Sequence, residues 1–339
     1  MKNTLLKLVN EIGQSGDENA VSSVAAKELE RYSNVRIDKF NNVIATFGNL
    51  NSPKHILLDA HIDQIGMIVT YIDEKGFISV SNCGGIDKKI LPGMAVKIQG
   101  KRDVKGVFSN VPPHLSVLDS DKFLDINKLS IDTGLNKETL DDLIAIGDRV
   151  SFDIKACELL NGRISAPGID NKAGVAAIIH CAELLAGEGE NLPYKVTVLL
   201  SAQEETSALG AKTKAFEVEP DESIIVDVTF ASQMDISEKT MGEFAKGPMI
   251  GISPILSREM SDKLISLSKE NELPYQLEVM SKRTGTNADS IAVSKSGVKC
   301  ALLSIPIRYM HTPCEVVDIS DIESTGKLLA MYIKNGGAF

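Results

Sequence analysis

Histidine and carboxylate side chains follow five of the apolar runs in this sequence. They are His61 and Asp63 after "HILLDA", Asp170 after "RISAPGI", Glu204 and Glu205 after "TVLLSA", Asp227 after "SIIV" and His311 after "CALLSIPIRYM". Short apolar runs are typical of buried strands, and open α/β sheets bind ligands beyond the carboxyl ends of their strands. Imidazole and carboxylate are ligands of zinc and similar divalent ions. The sequence therefore predicts a metal site along one edge of a sheet.

Taken singly, each of these residues has a simpler structural explanation. A lone His61 would more often be a hydrogen-bonded structural histidine, and Asp170 could cap the helix that "DNKAGVAA" begins. Asp227 could be a loop carboxylate and His311 a turn residue. The combined set favours a metal, because three carboxylates and two imidazoles would otherwise share a low-dielectric rim. Lys172 could pair with only one of them.

The charge balance of this set indicates two ions. Asp170, Glu205 and Asp227 carry three negative charges, and a hydroxide would add the fourth that two divalent cations require. A single zinc ion prefers four ligands, so five donors would overcrowd it. Two ions about 3.5–4 Å apart activate a water and polarise a carbonyl together.

The adjacent glutamates are predicted to divide two tasks. One of Glu204 and Glu205 would hold metal, and the other would accept a proton from the activated water as the general base. Neighbouring strand residues point to opposite faces, so a bend or bulge must turn both glutamates toward one cavity. Asp63 follows His61 by two residues. It is predicted to orient that histidine through its second ring nitrogen.

Helix and strand patterns alternate in residues 1–72 and 163–339. This alternation predicts one α/β domain with a mixed, largely parallel sheet flanked by helices. In residues 73–162, short strands alternate with glycine and proline, which is typical of a small β-barrel or sandwich. We assign these residues as an inserted β-barrel domain.

Composition excludes several classes of partner. The chain of 339 residues has a formal net charge of −10, which argues against nucleic acid and anionic membranes. Its first residues lack the apolar core of a signal peptide, and no run approaches the ~18 apolar residues of a membrane span. The five cysteines form no C-x-x-C pair, which argues against a thiolate zinc site. We therefore expect a cytoplasmic protein.

Six motifs occur in the order found in a known family. They are "DAHIDQIGMIV", "APGIDNKAGVAA", "AQEETSALGAK", "IIVDVT", "GTNADSIAVSKSGV" and "IPIRYMHTPCEVVD". With them the chain resembles, over nearly its whole length, the tetrahedral (glutamyl-type) aminopeptidases. These are dinuclear metallopeptidases, and some of them are labelled cellulase M or endoglucanase.

This resemblance implies a role for each candidate residue. One metal would be held by His61 and Asp227 and the other by Glu205 and His311, with Asp170 bridging them. Glu204 would be the general base, and the metals would be zinc or cobalt. The insert would be a dimerisation domain, and the dimers would assemble into a tetrahedral dodecamer. The substrates would be peptides trimmed from a free N-terminus.

The chain departs from the family pattern at a few positions. Gln64 stands where a glutamate is typical, and Ser207 and Leu209 replace the usual glycine and arginine. A pocket for acidic side chains would need a positive group, for which Lys282 and Arg283 are the candidates.

Two other functional interpretations stay open at this point. One keeps the dinuclear site with a different substrate, as in a deacylase, a carboxypeptidase or, less readily, a glycosidase, because most glycosidases use two carboxyl groups without metal. The other is a non-catalytic scaffold stabilised by metal. His55, His114 and His180 fall outside the metal pattern and are predicted to be structural or surface residues.

Overall fold

The computed structural model of the protein describes residues 1–110, 126–234 and 241–338. His114 and the end of the predicted strand "GVFSNVPP" lie outside the described residues.

The described strands divide between one large sheet and one closed barrel. In chain order they are β1 (Val35–Ile37), β2 (Val43–Gly48), β3 (His55–His61), β4 (Gly66–Ile72), β5 (Ile78–Cys83), β6 (Ala95–Gln99), β7 (Asp103–Phe108), β8 (Ile131–Asp132), β9 (Arg149–Phe152), β10 (Cys157–Glu158), β11 (Arg163–Ala166), β12 (Lys195–Ser201), β13 (Glu222–Phe230), β14 (Met249–Ile252), β15 (Gln276–Val279), β16 (Lys299–Arg308) and β17 (Glu315–Asp318).

The large sheet is mixed, with a parallel centre. Its main order is β1-β2-β12-β3-β13-β16-β17-β11-β10, and β14 and β15 extend it beside β16. The four strands β12, β3, β13 and β16 run parallel to their neighbours in this group. The flanking strands β2 and β17 pair antiparallel to the group. The predicted α/β class with a mixed, largely parallel sheet is confirmed.

Helices cover both faces of this sheet. They are α1 (Lys2–Val9), α2 (Asn19–Leu29), α4 (Ile169–Leu185), α5 (Glu204–Ser207), α6 (Leu209–Val218), α7 (Arg258–Glu270), α8 (Ala288–Ile291) and α9 (Ile319–Lys334), while α3 (Lys137–Leu143) belongs to the barrel region. Alternate residues of β3 belong to opposite cores: Leu58 shares a core with residues of α1, α2, α4, α7 and α9, and Leu57 shares one with residues of α6 and α8. Burial on both faces explains the unbroken apolar runs of the central strands.

The barrel closes in the order β4-β5-β8-β7-β6-β9 and has its own apolar core. Its first strand is β4, which ends at Ile72. The sequence-based division assigned residues up to 72 to the outer domain and therefore placed this strand outside the barrel. The apolar run "IGMIVTYI" follows β3 directly, and local sequence does not specify which sheet a strand joins. At the other end, β10 pairs with β11 in the large sheet. The barrel strands therefore lie between Gly66 and Phe152.

Candidate metal centre

The predicted donor residues meet at the carboxyl edge of the parallel strands. His61 is the last residue of β3 and pairs with Ser201, the last residue of β12. Asp227 lies inside β13 and not after its end, because that strand continues to Phe230. Ile225 pairs with Asp59, so Asp227 is level with His61 across the sheet.

The two glutamates reach one cavity because the chain bends before them. Gln203 adopts a left-handed backbone conformation with a φ of 60°. Glu204 and Glu205 then begin the short helix α5, in which successive side chains are about 100° apart rather than opposite. Both line the cavity at the sheet edge. The expected bend is present, and it consists of a left-handed residue followed by a helical turn.

Asp170 stands between two groups of possible metal ligands. Its Oδ1 lies 3.1 Å from Nε2 of His61, and that nitrogen is 3.6 Å from Oδ1 of Asp227. Its Oδ2 lies 3.4 Å from Nε2 of His311, and that nitrogen is 3.7 Å from Oε2 of Glu205. Within each group the ligand atoms all lie within 4.8 Å of one another. The two carboxylate oxygens of Asp170 thus each face one His–carboxylate pair.

The two adjacent glutamates of this centre hold their protons more tightly than usual. Burial, together with the Asp170 charge, raises the pKa of Glu205 to about 10. Burial also raises the pKa of Glu204 to about 7, against the lowering effect of His61. Burial alone would lower the pKa of His61, but the carboxylates of Asp170 and Asp227 keep it well above its usual value. Negative charge is therefore in excess at this edge.

A divalent cation fits the donor atoms that this edge presents. Oδ1 of Asp170 is buried and forms no hydrogen bond of good geometry, although Nε2 of His61 lies 3.1 Å away, so a cation would satisfy this oxygen. Lys172 does not neutralise the group, because its buried ammonium donates to the Glu11 carbonyl and the Gln64 side chain. Imidazole nitrogens and carboxylate oxygens are the ligands that zinc and cobalt accept.

Two further carboxylates hold the backbone of the donor residues. Asp63 accepts hydrogen bonds from the amides of Glu204 and Glu205, at 2.9 and 3.2 Å. The Nδ1 atom of His61 lies 3.1 Å from the Asp63 main-chain carbonyl and 3.6 Å from its carboxylate. The orienting contact predicted for Asp63 is therefore made by its carbonyl oxygen, and its carboxylate positions the glutamate pair.

Glu315 does the same for the opposite pair of donors. One of its oxygens accepts from the Asp170 amide at 3.0 Å and the other from the His311 amide at 2.8 Å. The Glu315 side chain is buried. Glu315 follows His311 by four residues in the same sequence motif. Sequence reasoning did not assign it a role, because spacing does not show which backbone amides a carboxylate will meet.

The barrel also contributes to the centre. The ring of His311 hydrogen-bonds the backbone of Gly85, which follows β5. A Cβ at this position would lie 2.9 Å from Nδ1 of His311, closer than side-chain carbons normally approach. Glycine at residue 85 thus lets the barrel chain approach the histidine.

We expect Glu315→Gln to weaken metal binding by about 10–100-fold, the usual effect of removing a group that orients metal ligands. The glutamine amide would present N–H groups to backbone N–H groups, so the Asp170 or the His311 amide would lose its acceptor. The measurement is metal affinity by competition with a chelator, and the matched control is Glu138→Gln at an exposed position of α3. Wild-type metal affinity in Glu315→Gln would show that the two hydrogen bonds accepted by Glu315 do not contribute to metal binding.

The fold and this donor set define a class of protein, an α/β protein with a candidate metal-binding cleft at the carboxyl edge of its parallel strands. The chain belongs to the M42 glutamyl aminopeptidase family, whose model matches residues 41–328. It is 32% identical over 329 residues to a lysyl aminopeptidase of Pyrococcus furiosus, covering 95% of this chain and 93% of that one.

Solved structures of aminopeptidases share the whole architecture. An aminopeptidase from the archaeon Desulfurococcus kamchatkensis superposes with a TM-score of 0.92 at 30% identity, covering 99% of this chain and 95% of the other. The TET1 peptidase of Pyrococcus horikoshii, which can assemble into a tetrahedron or a large octahedral shell, gives a TM-score of 0.85 at 28% identity, with 98% of each chain covered. The prediction of a peptide hydrolase that acts as an aminopeptidase is confirmed. Among the described residues, no helix has the length and apolarity needed to cross a membrane.

Proposed function

We propose that this aminopeptidase works with two divalent metal ions, zinc or cobalt, held by the residues that meet at the sheet edge. One ion would bind His61 and Asp227, the other would bind Glu205 and His311, and Asp170 would bridge them. The observation that carries this proposal is the position of Asp170, whose two oxygens each face a separate His–carboxylate pair.

In this proposal Glu204 is the general base. Its side chain lines the cavity but belongs to neither of the two donor groups, so its carboxylate stays available to a water. When bound, the metals make such a water more acidic and polarise the scissile carbonyl. Glu204 takes the proton from the water and passes it to the leaving amine. The Asp63 carboxylate accepts a hydrogen bond from the backbone amide of Glu204 and so fixes the turn that orients the Glu204 side chain.

Chelation tests the metal requirement. Dialysis against a strong chelator should abolish cleavage of aminoacyl-p-nitroanilides, and zinc or cobalt should restore it at two equivalents per chain. N-acetylated substrates should stay intact throughout, because an aminopeptidase requires a free amino group. Full activity of metal-free protein, or restoration complete at one equivalent, would contradict the two-metal proposal.

We further propose a cytoplasmic homo-oligomer in which barrel domains pair chains into dimers and dimers form a tetrahedral dodecamer. The assembly of the TET1 peptidase supports this. So do the apolar side chains that the barrel region exposes, among them Tyr71, Phe77 and Ile146. The division into a catalytic domain and a dimerisation insert belongs to the same proposal. The molecular mass in solution, measured by light scattering, tests it.

The names of the relatives do not decide the preferred N-terminal residue. The family description names glutamate, and the name of the Pyrococcus furiosus relative names lysine. Glutamate and lysine carry opposite charges. The preference of this chain has to be sought in its own cavity.

A further inference from the structure

The cavity of about 540 Å³ extends well beyond the donor residues. Its far wall is formed by the end of β13, by β15 and by the loop that precedes α8. This wall consists of Val228, Thr229, Phe230, Glu278, Met280, Thr284, Gly285 and Thr286. It lies where the side chain of an N-terminal residue would extend when its carbonyl is at the metal donors.

Glu278 is the ionisable group of this wall. It alternates along β15 with the exposed residues Leu277 and Val279, so its side chain faces inward. One of its oxygens accepts from the Thr229 hydroxyl at 2.5 Å and the other from the Ser304 hydroxyl at 2.6 Å. These contacts leave each oxygen with a lone pair for a ligand.

The two hydroxyls that hold Glu278 lie at different levels of the sheet. Ser304 pairs with Asp227 itself, and Thr229 lies two residues beyond Asp227 on β13, about 6.6 Å further along the same face. An extended lysine places its ammonium about 6 Å from its Cα, at the end of a flexible four-carbon stem. The thioether of Met280 and the ring of Phe230 offer apolar surface for such a stem.

Acidic side chains find no cationic partner here. Among the described residues that line the cavity there is no lysine or arginine. Arg283 lines a separate hollow with Lys212 and Phe216, and Lys282 is absent from the lining. The prediction that Lys282 or Arg283 serves a pocket for acidic residues is therefore wrong for this cavity. Residues Thr284–Thr286 of this loop line the cavity, whereas Lys282 and Arg283, which precede them, are exposed outside it.

We propose that Glu278 selects substrates with a basic N-terminal side chain, such as lysine. This inference rests on the proposed function, because it takes the scissile carbonyl to lie at the donor residues. The lone pair left on each Glu278 oxygen can accept from a lysine ammonium or an arginine guanidinium.

The test compares lysyl- and norleucyl-p-nitroanilide, which differ in charge but have similar stems. Wild type should cleave the lysyl substrate with the higher kcat/KM. Glu278→Gln, which keeps size and hydrogen-bonding capacity, should lower kcat/KM for the lysyl substrate by about 10–100-fold and leave the norleucyl value within about threefold. Glu138→Gln is again the control, and thermal melting checks that each variant folds.

Three results would overturn the inference: no preference for lysine in wild type, an unchanged lysine preference in Glu278→Gln, or an equal loss on both substrates. The last would mean that Glu278 holds the α-amino group of every substrate. Failure of the two-metal proposal shows separately, as norleucyl cleavage that survives chelation, whatever the ratio of lysyl to norleucyl rates.

Discussion

Replacing Glu204 by glutamine is expected to lower kcat by about 10²–10⁴-fold, the range that a general base contributes, while the protein keeps its metals. Glutamine has the shape of glutamate but cannot accept the proton. The backbone amide of residue 204 would still donate to Asp63, so the turn should persist. The measurement is kcat on an aminoacyl-p-nitroanilide together with metal content by mass spectrometry.

The adjacent residue provides the sharpest control. Glu205→Gln makes the same chemical change one position later, but Glu205 belongs to a donor group with Asp170 and His311. That variant should lose metal as well as activity. A Glu204→Gln variant with full activity would remove Glu204 from catalysis, and one that loses metal would make it a ligand.

The convergence of donors could be predicted because it follows from a general property of parallel sheets. Once β3, β12, β13 and β16 are recognised as parallel neighbours, the residues at their carboxyl ends must share an edge. Local sequence sufficed for this, since each strand is a recognisable apolar run.

The supporting contacts could not be predicted in the same way. Glu315 meets the Asp170 amide across 145 positions of sequence, and Gly85 reaches His311 from a different sheet. Such contacts depend on which distant strands pair, as β17 does with β11, and on how the barrel packs against the large sheet, and no periodicity encodes either. The sequence also did not predict that β4 joins the barrel or that Arg283 lies outside the cavity. Their positions depend on three-dimensional packing and not on nearby residues.

Asp170 is the position where one substitution should affect both proposed metals. In Asp170→Asn one carboxylate oxygen becomes an NH₂ group, which cannot bind a cation, so one of the two His–carboxylate pairs loses its third donor in either orientation of the amide. The loss of one negative charge weakens the other pair as well. We expect metal content to fall from two ions per chain to one or fewer. We expect kcat to fall by about 10³-fold, because metals supply several kcal/mol to such reactions.

The matched control is Asp227→Asn, the same change in a residue that belongs to only one of the two donor groups, with His61 and Asp170. It should weaken one ion and leave the affinity of the other near the wild-type value, so that titration with zinc resolves one strong and one weak site. Asp170→Asn should instead weaken both steps of the titration. If the two variants gave the same titration, or if Asp170→Asn bound two ions with wild-type affinity, Asp170 would not bridge. The two donor groups would then have to act as independent sites.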